Sequence, residues 1–269
     1  MNTPVEKLQT KRKSIEQSSL EDLEWAISLN RVILQGLGLW TYPNESQLRT
    51  ALSHIHLGMI GVCMCFLIVP QTMAMFKVLS VPMLIVDNVG HNLPFLSAEF
   101  KLALLWYNKK DVAHIFELIR EDWLMEKSSY ERDVMIKYAE LYKMLTIGGL
   151  LSSLATTTMY HLPIAWNTVS RTVNNITDVP GALFAAQTVY AYDVTQTKTY
   201  RLTLISQYVG TVFASLSYTG VDVLFSMFVM HGCGQLEILA GRIETMASEQ
   251  PNLKHRLKNN VERHCSLIE

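Results

Sequence analysis

The sequence predicts an all-α protein, a multi-pass transmembrane helical bundle of four spans with its N-terminus in the cytoplasm. Three observations carry that expectation. The run from Thr50 to Phe76 holds no Asp, Glu, Lys or Arg, and at about 1.5 Å per residue it reaches ~40 Å, beyond a hydrocarbon core of ~30 Å. Charged residues make up only 17% of the 269-residue chain, against ~25% in soluble domains. Lys and Arg are also unevenly placed, 19 of 23 falling in three segments that the apolar runs separate.

Residues 1–49 read as a cytoplasmic and interfacial segment. Its second half places Leu20, Leu23, Ile27 and Val32 at helical spacing beside charged residues, the pattern of an amphipathic helix at a membrane surface. Lys11, Arg12 and Lys13 stand among several acids with no continuous apolar core, so neither a secretory signal nor a transit peptide fits. The string GLGLW over residues 36–40, followed by Pro43, loosens the backbone and supplies an interfacial aromatic before the first span. It lacks the strand and the further glycines of a nucleotide loop.

The transmembrane domain is expected over 50–231, with spans at about 50–76, 78–100, 144–166 and 202–231. The second span contains Asp87, His91, Asn92, Pro94 and Glu99. A charge near the bilayer centre costs at least ~2.5 kcal/mol, so Asp87 is expected to face other helices, with His91 one turn on as a partner. A cytoplasmic loop over 101–143 includes an amphipathic helix marked by Val112, Ile115, Phe116, Ile119 and Trp123. An outer polar loop over 167–201 carries the sequon Asn175-Ile-Thr177. Residues 232–269 read as two cytoplasmic amphipathic helices broken at Gln250-Pro251-Asn252.

Orientation follows from the basic residues: six precede the first span, eight lie in 101–143 and five follow the fourth. The positive-inside rule puts all three segments in the cytoplasm. The 167–201 loop is then outside, where Asn175 is a glycosylation candidate, whereas the acceptor pattern at Asn44 faces the cytosol. A G-protein-coupled receptor has the opposite orientation and a disulfide that residues 66–232, without a cysteine, do not provide.

Composition excludes other classes. A net charge of −1 supplies no field to recruit nucleic acid. The four cysteines form no metal or disulfide framework. His54 and His56 are two apart on different helix faces and read as packing or interface residues. No nucleophile–base pairing, metal spacing or phosphate loop appears, so neither an enzyme nor a cofactor is expected. A transporter would need an inverted repeat of broken helices, which is not evident.

Binding is better supported. Tyr208, Thr211, Ser215, Tyr218 or Thr219, and Asp222 recur every three or four residues along the fourth span, and Ser153, Thr157 and Tyr160 do so along the third, with His161 beside them. A mostly apolar pocket with a few hydroxyls suits a small volatile or apolar ligand. Hydroxyls in membrane helices also bond to neighbouring helices, and both readings stand for each residue.

The GLGLW entry, the string IREDW at 119–123, HGCGQLEILAGRI at 231–243 and VERHCSLI at 261–268, in that order relative to the spans, resemble the insect odorant receptor family. The resemblance implies an inverted seven-span layout, of which this chain holds four spans and stops at Glu269 without the pore-lining final helix. It implies the ligand-tuning subunit of an odorant-gated cation channel, paired with an odorant co-receptor in the plasma membrane of olfactory sensory neurons, and not conducting by itself in this form. It further implies a pocket in the outer half of the bundle, favouring His91, Phe95, Ser153, Thr157, Tyr160, Tyr208 and Thr211. Alternatives are a gustatory receptor of the same superfamily or a four-span assembly or regulatory membrane protein.

Overall fold

The computed structural model describes residues 4–40, 46–166, 168, 176, 178, 183–248 and 253–268. Among them there is no strand. Seven helices follow one another: α1 Pro4–Gly36, α2 Gln47–Val78, α3 Pro82–Tyr107, α4 Lys109–Leu124, α5 Ser129–Ala165, α6 Thr197–Ser248 and α7 Leu253–Ile268. Among the described residues, two stretches are long and apolar enough to cross a membrane, Gln47–Val78 and Thr197–Thr245.

The chain divides into two compact units, with the division falling inside α1, α4, α5 and α6. One unit comprises Met1–Asn30, Ala113–Ile147 and Val223–Glu269. Its core joins Leu23 and Ala26 of α1, Ile119 and Trp123 of α4, Met135 and Ala139 of α5, and Met227 of α6, all buried. Ion pairs bind the same helices: Arg132 grips Asp22 through Nε and Nη2 at 2.6 and 2.8 Å, and Lys137 reaches Glu237 at 3.0 Å. Helix α5 begins at a reciprocal cap in which Glu131 N–H donates to Ser128 Oγ at 3.3 Å and Ser128 N–H donates to Glu131 Oε2 at 2.8 Å. That capping box satisfies two backbone donors the first turn would leave orphaned.

The other unit comprises Arg31–Val112 and Gly148–Asp222. Helix α1 ends in it at Gly36, and the turn beyond holds Gly38, whose φ of +70° is a left-handed value that costs glycine little and other residues more. The N–H of Leu39 and of Trp40 both return to Leu34 O, at 2.7 and 3.2 Å. A Cβ at Gly38 would stand 2.9 Å from Ser53 O. Helix α2 starts with the Ser46 hydroxyl accepting from Arg49 N–H at 3.3 Å, then buries a stripe through Ile60, Met64, Leu67, Gln71, Ala74 and Val78. Its opposite face leaves Met59, Val62, Met73 and Phe76 at least half exposed. A helix apolar on both faces needs an apolar medium on the outer one.

Helices α2 and α3 form a hairpin, α3 starting on Pro82 in the first turn and burying Leu84, Asn88, Asn92, Ala98 and Leu102. Helix α6 meets α2 at Gly210, where a Cβ would lie 2.9 Å from Cys63 O. The glycine allows backbone to approach backbone.

Three elements differ from the sequence expectation. The 202–231 run continues as one helix to Ser248, because Gly232 and Gly234 lie where polar and apolar residues keep helical spacing and nothing removes an N–H. Helix α5 begins at Ser129, well before residue 144. Most consequentially, the second half of the 167–201 loop is not a solvated connection. Phe184, Ala185, Ala186, Gln187 and Thr188 run without helix through the unit's interior and are no more than 4% exposed. Asn175 and Asn44 lie outside the described residues, as does the break at 250–252.

Candidate functional site

The residues singled out as a ligand lining all fall in the second unit. Helix α5 puts Ser153, Thr157, Tyr160 and His161 on successive turns, α6 does the same for Tyr208, Thr211 and Ser215, and α3 supplies His91. The structure sorts them into two levels.

At one level the hydroxyls bond to each other. Ser153 and Ser215 share a hydrogen bond, Thr157 donates to Ser215 Oγ at 3.3 Å and Thr219 donates to Ser153 Oγ at 3.1 Å. These groups tie α5 to α6, the helix–helix role. Asp222, at the end of the same stripe, accepts from Lys101 Nζ at 2.6 Å, and that ammonium also stands 3.4 Å from the centre of the Tyr218 ring.

At the other level the aromatic rings gather around His161, which is 6% exposed. His161 meets Tyr160 at 5.6 Å and Tyr208 at 5.4 Å, edge to face in both cases, and Tyr160 meets His91 at 5.2 Å. Such spacings are those of favourable aromatic pairs. His161 Nδ1 lies 2.9 Å from Thr157 O and Nε2 lies 3.4 Å from Thr211 Oγ1. With Nδ1 against a carbonyl oxygen that nitrogen carries the proton, while Thr211 spends its own hydroxyl proton on Gln207 O at 2.8 Å. Tyr208 OH pairs with Thr158 Oγ1 at 3.3 Å. Tyr160 and Tyr208 remain 41% and 36% exposed, so the rings offer a face. Phe95, half-buried one turn beyond His91, joins none of these ring contacts among the described residues. The expected Asp87–His91 pair forms at 3.7 Å, although His91 Nδ1 lies closer, 2.9 Å, to Asp87 O.

The 183–192 segment borders this cluster, where the sequence predicts only an outer polar loop. Tyr160 OH donates to Ala185 O at 2.7 Å, Val189 N–H donates to Pro70 O at 3.0 Å, and Gln187 Nε2 donates to Leu84 O and to Asp87 Oδ2 at 3.2 and 2.8 Å. Gln207 completes the fastening, accepting from Ala185 N–H at 3.3 Å and donating to Tyr190 OH at 2.9 Å. The Tyr190 phenol is pushed up from its ordinary value by burial, against the opposing bond from Gln207. Phe184, Tyr190 and Tyr192 meet ring to ring in tilted pairs at 5.9 and 5.1 Å. The signal for this was the run LFAAQTVYAY over residues 183–192, too apolar and aromatic for a surface connection.

A cavity of about 310 Å³ lies beside this segment, lined by Lys77, Ile176, Phe184, Thr188, Val189, Tyr190 and Val194. Its size suits a small ligand, but none of the seven predicted residues lines it. His54 and His56 are far from any such role: His54 stands against Trp106 and Lys109 Nζ, and His56 Nε2 lies 2.9 Å from Gly36 O.

The family model described as 7tm odorant receptor matches residues 83–269. No curated protein matches the chain. Two solved structures of the insect olfactory receptor OR5 from Machilis hrabei are similar in fold: the complex with eugenol, at a TM-score of 0.67 and 15% identity, and a second structure of the receptor, at 0.68 and 15%. In both, 93% of this chain is covered and 63% of the receptor, so the chain spans about 63% of the length of the solved receptor it resembles.

Proposed function

Since the chain belongs to the 7tm odorant receptor family, a family of membrane receptors and not of enzymes, we propose that it is the ligand-tuning subunit of an odorant-gated cation channel. The observation that carries the ligand role is the ring cluster of His91, Tyr160, His161 and Tyr208. It combines apolar ring faces with a small number of oriented polar groups, the chemistry that holds a compact aromatic or apolar molecule. The fold-related receptor was solved with eugenol, a ligand of that kind.

In this reading α2, α3, α5 and α6 cross the plasma membrane of an olfactory sensory neuron, with the N-terminus, the 101–143 region and residues 232–269 in the cytoplasm, and Asn175 outside. Its partner is an odorant co-receptor. A ligand drives such a channel only by binding the open arrangement more tightly than the closed one.

The test is co-expression with a co-receptor, with current and surface delivery both measured. Tyr160→Ala and Tyr208→Ala are expected to change the rank order of responses across an odorant panel while surface delivery persists. Identical tuning in both variants removes the ring cluster from the ligand site.

A further inference from the structure

Away from the ring cluster, the face shared by α2, α3 and the 183–192 segment buries four carboxamides. Gln71, Asn88, Asn92 and Gln187 are 0%, 1%, 3% and 1% exposed. They touch one another's helices closely: Asn88 Nδ2 donates to Gln71 O at 3.1 Å, and Asn92 Nδ2 donates to Thr72 Oγ1 at 3.1 Å.

The bonds these amides make fix how each is turned. Asn88 and Gln187 face carbonyl or carboxylate oxygens, which only accept. Asn92 faces a Thr72 hydroxyl whose proton goes to Ile68 O at 2.8 Å, so Asn92 also has to donate. In all three the NH2 end is therefore committed to protein and the carbonyl end is left over. Asn88 Oδ1, Asn92 Oδ1 and Gln187 Oε1 have no hydrogen-bond partner among the described residues. Gln71 stands further out of line, since neither its Oε1 nor its Nε2 has one.

Buried polar atoms in native proteins are paired with protein, water or a ligand. A guest that serves the Gln71 side chain must both donate, to a carbonyl oxygen, and accept, from the Gln71 NH2. A metal cation meets the first need and fails the second. It would also lose its hydration to neutral amides alone, because Asp87, the nearby carboxylate, already receives Gln187 and stands beside His91. A neutral O–H group meets both needs.

We propose that Gln71, Asn88, Asn92 and Gln187 form a binding site for a neutral hydroxyl, carried by an alcohol or phenol ligand or by resident water. The ligand arm rests on the receptor reading above, and the site itself does not.

Gln71→Met isolates the guest, since the Gln71 side chain makes no hydrogen bond among the described residues to lose. In the detergent-solubilised chain, the variant is expected to melt about 3 °C or more below wild type, the scale on which one lost interaction appears in a chain of this size. An equal or higher melting temperature overturns the proposal, because an unfilled amide is improved by an apolar replacement. Gln71→Leu provides the same reading should Gln71→Met not fold. A wild-type chain stabilised more by 1-hexanol than by hexyl methyl ether, with the difference lost in Gln71→Met, identifies the ligand hydroxyl. Equal effects alongside the lowered melting temperature identify water. Stabilisation by sodium or potassium chloride over choline chloride, lost in Gln71→Met, identifies a cation and overturns the proposal.

Discussion

Arg263 on α7 donates through Nη2 to the Asp122 carboxylate on α4 at 2.6 Å. The other carboxylate oxygen lies 3.0 Å from His231 Nε2 of α6, and Arg263 also donates to Gln235 Oε1 at 2.9 Å. Three of the strings that carried the family resemblance, at 119–123, 231–243 and 261–268, thus meet on one carboxylate. With Asp122 only 11% exposed, neutralising it takes the counter-charge from Arg263 while leaving its bond to Gln235, and breaking such a pair costs on the order of 3 kcal/mol. Asp122→Asn is expected to lower the thermal stability of the solubilised chain by that order and to expose α7 to proteolysis.

Acidification provides an independent test. Burial alone would raise the Asp122 carboxyl, but the His231 hydrogen bond and the Arg263 charge outweigh it and hold the group below the ordinary carboxylate range. A carboxyl held lower in the fold than in the unfolded chain contributes in full above the unfolded value of about 3.9 and loses its contribution as pH falls through the lower folded value. Between pH 5 and pH 2 the wild type is expected to lose more melting temperature than Asp122→Asn.

The cap on α5 predicts a smaller and more local change. Ser128→Ala removes the hydroxyl that receives Glu131 N–H and is expected to cost about 1 kcal/mol. Hydrogen exchange should rise at residues 129–132 and not at the C-terminal end of α5.

Gly210 predicts a steric failure. A methyl group there meets the Cys63 backbone at 2.9 Å, and neither helix can yield by turning a side chain. Gly210→Ala is expected to destabilise the chain by about 1–3 kcal/mol and to reduce surface delivery, measured by surface labelling. Gly148→Ala, with nothing within 4 Å, should leave delivery unchanged.

Tyr160 separates ring from hydroxyl. Tyr160→Phe keeps the contacts with His91 and His161 but strands Ala185 O, at about 1 kcal/mol. Odorant preference measured with a co-receptor is expected to hold in Tyr160→Phe and to shift in Tyr160→Ala.

What was legible in the sequence was local. The uncharged run at 50–76 announced α2, and the hydroxyl periodicity placed Ser153, Thr157, Tyr208 and Thr211 on facing helices. The division of labour among them was not legible, because whether Ser215 meets Ser153 or a ligand depends on how α5 and α6 are rotated. His161 was seen only beside the stripe, although its ring is the hub. The 183–192 segment was missed because its burial comes from partners far along the chain, Pro70, Leu84, Tyr160 and Gln207, and no local periodicity records such partners.

That segment also imposes an order on assembly. Its bond from Gln187 to Leu84 spans 103 residues of sequence, and its other anchors sit on helices made both before and after it. The α2–α3 hairpin is therefore made before the Gln187 amide that bonds to Leu84 O and Asp87, and α6 must arrive before Gln207 can fasten the segment down. The keystone is locked last, because the Gln207 bonds to Ala185 and Tyr190 that hold the segment form only when α6 packs against it.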